Sequence, residues 1–176
     1  MAETTQQDAI ALLKEDHRTV AALFEKFEKA TGDGRKQSIA EEICLDLSVH
    51  AQIEEEIFYP ACEGKVDEDL LKESYVELDG AKVLIAEILA GGPDDEFYEA
   101  KVKVLSEEIK HHVKEEEQRD GVFAQAREKD LDLKALGEQM AARKKELMTG
   151  FEDNGLPPPM TLTMKAPPLE QQQHAG

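Results

Sequence analysis

The segment EEICLDLSVHAQIEEEIFYPA, residues 41–61, decides the fold class. Apolar residues recur along it at intervals of three and four, the spacing of one face of an α-helix. Two polar residues, His50 and Glu54, stand on this apolar line. Residues four apart on a helix point the same way, one turn above the other. The segment therefore predicts a helix that carries an imidazole and a carboxylate into the protein interior.

Three further segments have the same helical spacing, one before and two after residues 41–61. The four lines are Ile10, Leu13, His17, Val20, Phe24 and Phe27; Ala40, Ile43, Leu47, His50, Glu54, Ile57 and Ala61; Leu71, Ser74, Leu78, Ala81, Ile85 and Ile88; and Val102, Leu105, Ile109, His112, Glu116, Arg119, Phe123 and Ala126. Short connections rich in Gly and Pro separate them. The sequence thus predicts an all-α, antiparallel up-and-down four-helix bundle within residues 1–150.

The C-terminal part of the chain differs from the bundle in composition. A short fifth helix is predicted from Leu131 to Met148, with Leu136, Met140 and Leu147 facing inward. Beyond residue 150 the chain is rich in Pro and Gln and has no periodicity. We predict that residues 151–176 form an extended tail, and that deleting residues 156–176 leaves stability and metal content unchanged.

Charge and composition limit the classes of partner. The chain has 39 Asp and Glu residues against 21 Lys and Arg, a net charge of −18. Proteins bind nucleic acids and anionic membranes largely through cationic side chains, so neither partner is expected. The N-terminus does not resemble a signal peptide and no stretch approaches the ~20 apolar residues of a membrane span. A cytoplasmic location is expected, and nothing in the sequence indicates the oligomeric state.

Histidines and glutamates interrupt the apolar lines at a common depth. Three predicted helices carry His17, His50 and His112 on the buried line, and two of them add Glu54 and Glu116 one turn later. Counting apolar layers places these residues opposite one another when the helices run antiparallel. A buried, unpaired glutamate is costly, and a cation between the carboxylates and imidazoles removes that cost. We predict a metal site, rather than a set of catalytic residues, with ligands suited to Fe, Mn or Zn.

Other residues beside this layer leave alternatives open. His111 has Glu115 four residues later, so the register of the fourth helix is open by one; we prefer His112 because the apolar line leads into it. Tyr59 and Tyr75 either approach the metal or pack with their hydroxyl groups at the surface, and we expect the second arrangement.

At these residues the chain resembles the hemerythrin-like HHE cation-binding family. The resemblance covers Asp8 to Leu147 and is carried by LLKEDHRTVAALFEKF (12–27), the segment 41–61, ESYVELDGAKVLIAEI (73–88) and KVKVLSEEIKHHVKEEEQ (101–118). It implies a four-helix bundle that binds two non-haem irons through histidines and two bridging carboxylates. It also implies a small ligand, with roles in O₂ binding, iron or oxygen sensing, or stress responses to peroxide or nitric oxide.

The third predicted helix departs from the family pattern. Where the family usually has Glu-His, this chain has Glu77-Leu78. Leucine cannot bind a metal, so the resemblance leaves three possibilities: a diiron site with an open position, a site with one iron, or a substitute ligand such as Glu77 or Tyr75. The functions left open are a binding or sensing protein, an iron-dependent enzyme that decomposes peroxide or oxidises a substrate, and a structural protein with a degenerate site.

Overall fold

The computed structural model describes residues 7–165, and every regular element within that range is helical. In chain order the α-helices are α1 (Ala9–Lys29), α2 (Asp33–Ile53), α3 (Tyr59–Cys62), α4 (Glu68–Gly91), α5 (Tyr98–Glu117), α6 (Val122–Glu128) and α7 (Leu133–Asn154). A π-helical turn, Glu54–Phe58, joins α2 to α3, and a 3₁₀ turn, Gly92–Asp94, follows α4. The predicted all-α bundle with an additional C-terminal helix is confirmed.

Four helices, α1, α2, α4 and α5, form the bundle. α1 packs on α2 and α5, and α4 packs on the same two helices from the other side. Aspartate side chains begin two of them: Asp8 accepts a hydrogen bond from the Ala11 N–H, and Asp67 accepts from the first turn of α4. Such caps satisfy backbone donors that have no partner inside the helix. The local sequence therefore determines where these two helices begin, and packing in the core determines which of their faces are buried.

The apolar core consists of two clusters with the polar layer between them. One cluster contains Val20, Leu47 and Ile109, and the other contains Leu13 and Ile53. On α1, His17 lies between Leu13 and Val20, so the chain passes from one cluster to the other through the histidine. The predicted common depth of the polar residues thus corresponds to a buried layer in the middle of the bundle.

Helix α7 packs across α1 and α2 on the outside of the bundle. It runs six residues beyond the predicted end at Met148, to Asn154. Of its predicted inward residues, Met140 and Leu147 are buried and Leu136 is partly buried against the same cluster. A side chain at Gly137 would collide with the backbone at Gln7 and Asp8, so glycine permits α7 to lie directly against the start of α1.

Residues 155–165 are extended, and they dock on α4. The backbone N–H groups of Leu162, Thr163 and Met164 all donate to the carboxylate of Asp79, at 2.6–3.1 Å. The Thr163 hydroxyl donates to the same carboxylate at 2.6 Å, and Lys82 donates to the Met160 carbonyl. This contact attaches the tail to the bundle, an attachment that the lack of periodicity beyond residue 150 did not predict. The rest of the predicted tail, residues 166–176, lies outside the described residues, as do residues 1–6.

None of the helices within residues 7–165 is both long and apolar enough to cross a membrane.

Candidate metal centre

Four side chains from four elements converge in the buried layer. His17 lies on α1, His50 on α2, Glu54 at the start of the π-helical turn and Glu116 on α5. One ligand atom from each lies within 4.8 Å of the other three, and all four residues are buried. The structure therefore brings together four of the five residues that the sequence predicted as metal ligands.

The inward atoms of this cluster have no hydrogen-bond partner among the described residues. They are Nε2 of His17, Nε2 of His50, Oε1 of Glu54 and Oε2 of Glu116. Each imidazole faces a carboxylate: His17 Nε2 lies 3.3 Å from Glu116 Oε2, and His50 Nε2 lies 3.3 Å from Glu54 Oε1. Buried polar atoms without partners are rare and need an explanation. Imidazole nitrogens and carboxylate oxygens are a ligand set for first-row transition metals, so these residues fit a cation.

The fifth predicted ligand, His112, lies beside the other four. Its Nε2 is 3.5 Å from Glu116 Oε2 and 3.7 Å from Glu54 Oε2. His112 and Glu116 are buried, whereas the His111 side chain is 63% exposed. His112 rather than His111 therefore faces inward, which is the register of α5 that we preferred from the sequence.

Each of the three histidines is held from behind by a second carboxylate. His17 Nδ1 lies 2.6 Å from Glu117, His112 Nδ1 lies 2.6 Å from Glu77, and His50 Nδ1 lies 3.3 Å from Asp16. A carboxylate accepts, so the proton resides on Nδ1 and the Nε2 lone pair is directed inward. Metal-binding histidines in proteins are commonly oriented in this way. Asp16 and Glu117 were not predicted, because acidic residues are abundant along the chain, and Glu77 was predicted only as a possible ligand.

The electrostatics of the layer follow from opposite charges in a buried site. Burial alone lowers the pKa of His50, but the facing carboxylate of Glu54 and the hydrogen bond to Asp16 raise it to about 10. Burial alone raises the pKa of Glu54, but His50 and His112 bring it well below its usual value. Without a metal, His50 therefore favours its protonated form opposite the Glu54 carboxylate, and a bound cation would take the place of its Nε2 proton.

Tyr59 was predicted to turn its hydroxyl to the surface, and that prediction is wrong. The residue is fully buried, and its hydroxyl lies 2.8 Å from Glu116 Oε1 and 3.0 Å from Glu54 Oε2. In an α-helix, a residue five positions after Glu54 faces a different direction. The π-helical turn closes with a hydrogen bond from the Tyr59 N–H to the Glu54 carbonyl, and this wider turn puts both side chains on one face. Tyr59 is therefore a further oxygen donor at the cluster.

The residues that we considered as substitutes for a ligand at position 78 do not face the centre of the buried layer. Leu78 itself is buried, with 2% exposure. Glu77 contacts Nδ1 of His112 and Nε2 of His111, so it is engaged on the outer side of the layer. Tyr75 packs edge-on against the ring of Tyr59.

A cavity of about 10 Å³ adjoins the histidines. Its walls include Leu78 and Ala81 of α4 together with the rings of His17, His50 and His112. A space of this size holds roughly one water-sized molecule. The position that lacks an imidazole therefore borders a small and largely apolar space.

Comparisons with known proteins agree with this site. A family model described as the hemerythrin HHE cation binding domain matches residues 8–124. The crystal structure of a hemerythrin HHE cation binding domain-containing protein from Mycobacterium kansasii is similar with a TM-score of 0.72 and 25% identity. The similarity covers 85% of this chain and 95% of that one.

A curated protein with a different described activity is also similar to this chain. It is a DNA nickase from Nostoc sp. strain PCC 7120, 31% identical over 111 residues, which are 63% of this chain and 31% of that protein. The chain thus spans about a third of the length of this relative.

Proposed function

The chain belongs to the hemerythrin HHE cation-binding family, and from this premise we propose that it is a non-haem iron protein that binds or senses O₂, peroxide or nitric oxide. The observation that carries the proposal is the set of four buried, inward-facing ligand atoms without hydrogen-bond partners among residues 7–165. A stress response to such molecules is the cellular role we infer.

The arrangement of the two glutamates supports a site for two irons. Glu54 places one oxygen near His50 and the other near His112. Glu116 places Oε2 near both His17 and His112. A carboxylate that lies between two imidazoles is placed to bridge two cations, as in other carboxylate-rich helical bundles. We therefore propose about two irons per chain, with fewer imidazoles at one of them because Leu78 stands in α4.

The small cavity supports a small ligand. Iron bound at this layer would supply a redox-active Lewis acid beside the position where α4 lacks an imidazole. Leu78, Ala81 and Ile85 surround that position with apolar side chains, and the space they leave is about 10 Å³. The protein thereby limits access to molecules about as large as water, O₂, nitric oxide or peroxide.

A second candidate function, peroxide decomposition, is favoured by Tyr59. Its phenol is fully buried and contacts both glutamates. Burial and the flanking carboxylates raise the pKa of this hydroxyl well above its usual value, so it keeps its proton. A protonated hydroxyl fixed beside the ligand position can donate a hydrogen bond to peroxide oxygen, which favours a reaction with peroxide.

Reactions of the iron-loaded protein separate the two functions. The metal-free protein is loaded with Fe²⁺ under anaerobic conditions and mixed with O₂, a nitric oxide donor or hydrogen peroxide. A spectral change that reverses on removal of the gas supports a binding protein, whereas repeated consumption of peroxide supports an enzyme. Glu116→Gln is expected to abolish either response, and Glu115→Gln, at the adjacent and partly exposed position, is the matched control. If the iron-loaded wild type shows neither a reversible spectral change nor peroxide consumption, the proposed function is overturned.

A further inference from the structure

The three carboxylates behind the histidines are not equivalent. The side chains of Glu117 and Glu77 are 33% and 22% exposed to solvent. The Asp16 side chain, which holds His50, is only 10% exposed. Water therefore screens the charge of Asp16 less than that of the other two.

Asp16 has a second partner that comes from outside the bundle. Its Oδ2 faces His50, and its Oδ1 accepts from the ammonium group of Lys144 on α7. Both oxygens of one buried carboxylate are thus engaged, one by a side chain of the metal layer and one by a lysine. The family model matches residues 8–124, so Lys144 lies beyond the part of the chain that defines the family.

A second contact fixes α7 over the same region. Arg143 donates to both oxygens of Glu56 in the π-helical turn, at 2.7 and 3.1 Å. A bidentate pair of this kind restrains geometry more than a single contact does. The neighbouring residue, Lys144, is thereby held near Asp16 rather than left to sample the solvent.

We propose that Lys144 and Asp16 form a positioning pair that orients His50 for cation binding, so that α7 is a working part of the metal centre. The inference rests on the proposed metal site and assigns a role to residues that do not contact the cation themselves. Lys144 holds the Asp16 carboxylate in place, with its other oxygen aimed at His50 Nδ1. Asp16 in turn accepts from Nδ1 and directs Nε2 of the ring toward Glu54. Removing Lys144 leaves Asp16 free to rotate, and the imidazole loses its fixed orientation.

The expected size of the effect follows from measured outer partners of metal ligands. Loss of such a partner typically weakens metal affinity by about 10- to 100-fold. Lys144 is one contact further from the cation than Asp16, so we expect about a tenfold loss for Lys144→Met and a loss at least as large for Asp16→Asn. Lys144→Arg keeps the charge and should recover most of the affinity.

The test uses Co²⁺ as the probe cation, because its visible spectrum reports on ligand geometry and its binding can be measured by chelator competition. Wild type, Lys144→Met, Lys144→Arg, Asp16→Asn and the double variant Asp16→Asn with Lys144→Met are compared. Lys145→Met, at the adjacent exposed position of α7, is the matched control. Melting of each metal-free protein separates an effect on the fold from an effect on the site.

The proposal predicts weaker binding and an altered Co²⁺ spectrum for Lys144→Met, with Lys144→Arg and Lys145→Met close to wild type. Lys144→Met should change nothing further once Asp16 is already Asn. Wild-type affinity and spectrum in Lys144→Met would overturn the proposal, as would a loss that simply adds to that of Asp16→Asn. Failure of the wild type itself to bind Co²⁺ or iron is a different result, and it would overturn the metal site as a whole.

Discussion

Loss of the contact between the tail and Asp79 should lower the free energy of unfolding by an amount that the structure allows us to estimate. Asp79 is fully buried and accepts from three consecutive backbone N–H groups and the Thr163 hydroxyl. Burial alone raises the pKa of Asp79, but these donors lower it from 3.8 to about 2. A shift of this size corresponds to roughly 2.5 kcal/mol of native-state stability at neutral pH. We therefore expect Asp79→Asn to lower the free energy of unfolding by about 2 kcal/mol, or the melting temperature by roughly 4–8 °C.

The effect should depend on pH with a definite sign. A carboxyl whose pKa is lower in the folded state contributes its stability above the unfolded pKa and loses it as pH falls through the folded pKa. For Asp79 the full contribution is present above 3.8 and disappears as pH falls toward about 2. The difference between wild type and Asp79→Asn should therefore be largest at pH 7 and should shrink at pH 3.

Urea and thermal denaturation at both pH values, followed by circular dichroism, measure these differences. Asp153→Asn, at an exposed position of α7, is the control for loss of one charge. A chain that ends at Pro159 removes the donors and should be destabilised like Asp79→Asn, while a chain that ends at Lys165 retains them. Combining the shorter truncation with Asp79→Asn should add little. Wild-type stability of Asp79→Asn and of the chain that ends at Pro159 would refute a role for the Asp79 contact. Losses that add when the two changes are combined would refute it as well.

Three further predictions concern the metal layer. Tyr59→Phe should weaken Fe²⁺ binding and slow any reaction with peroxide, because both glutamates lose their hydrogen-bond donor; unchanged binding and peroxide kinetics would contradict this. Leu78→His should tighten iron binding and change the visible spectrum of the iron-loaded protein, because the side chain borders the histidines; a variant identical to wild type in both would show that position 78 lies too far from the cation. Iron should raise the melting temperature, since a ligand that binds only the folded state stabilises it, and identical melting with and without a chelator would oppose a buried site.

The sequence allowed the bundle and the inner residues of its polar layer to be predicted, because both follow from one periodicity. Apolar residues three and four apart fixed the helices, and the same spacing put His50 and Glu54 on one face. Tyr59 escaped this reasoning because it lies on a π-helical turn, where the α-helical spacing no longer applies.

Contacts between distant segments could not be predicted from the sequence for a different reason. Lys144 and Asp16 are 128 residues apart in the chain, and no periodicity links them. The docking of residues 162–164 on Asp79 is likewise a tertiary contact of backbone N–H groups, which every non-proline residue carries. Only the arrangement of α4 and α7 in space identifies these partners.

The central claim is that the buried His/Glu layer holds iron, and elemental analysis of the purified protein tests it most directly. The protein is produced in iron-replete medium, and iron is counted per chain in wild type and in a variant that combines Glu54→Gln with Glu116→Gln. The variant keeps the shape of both side chains and removes the two charges that attract the cation. We predict about two irons per wild-type chain, at least one, and almost none in the variant. Less than about a tenth of an iron per chain in a wild-type protein with native helix content would contradict the account, since an empty layer would leave its buried ligand atoms unexplained.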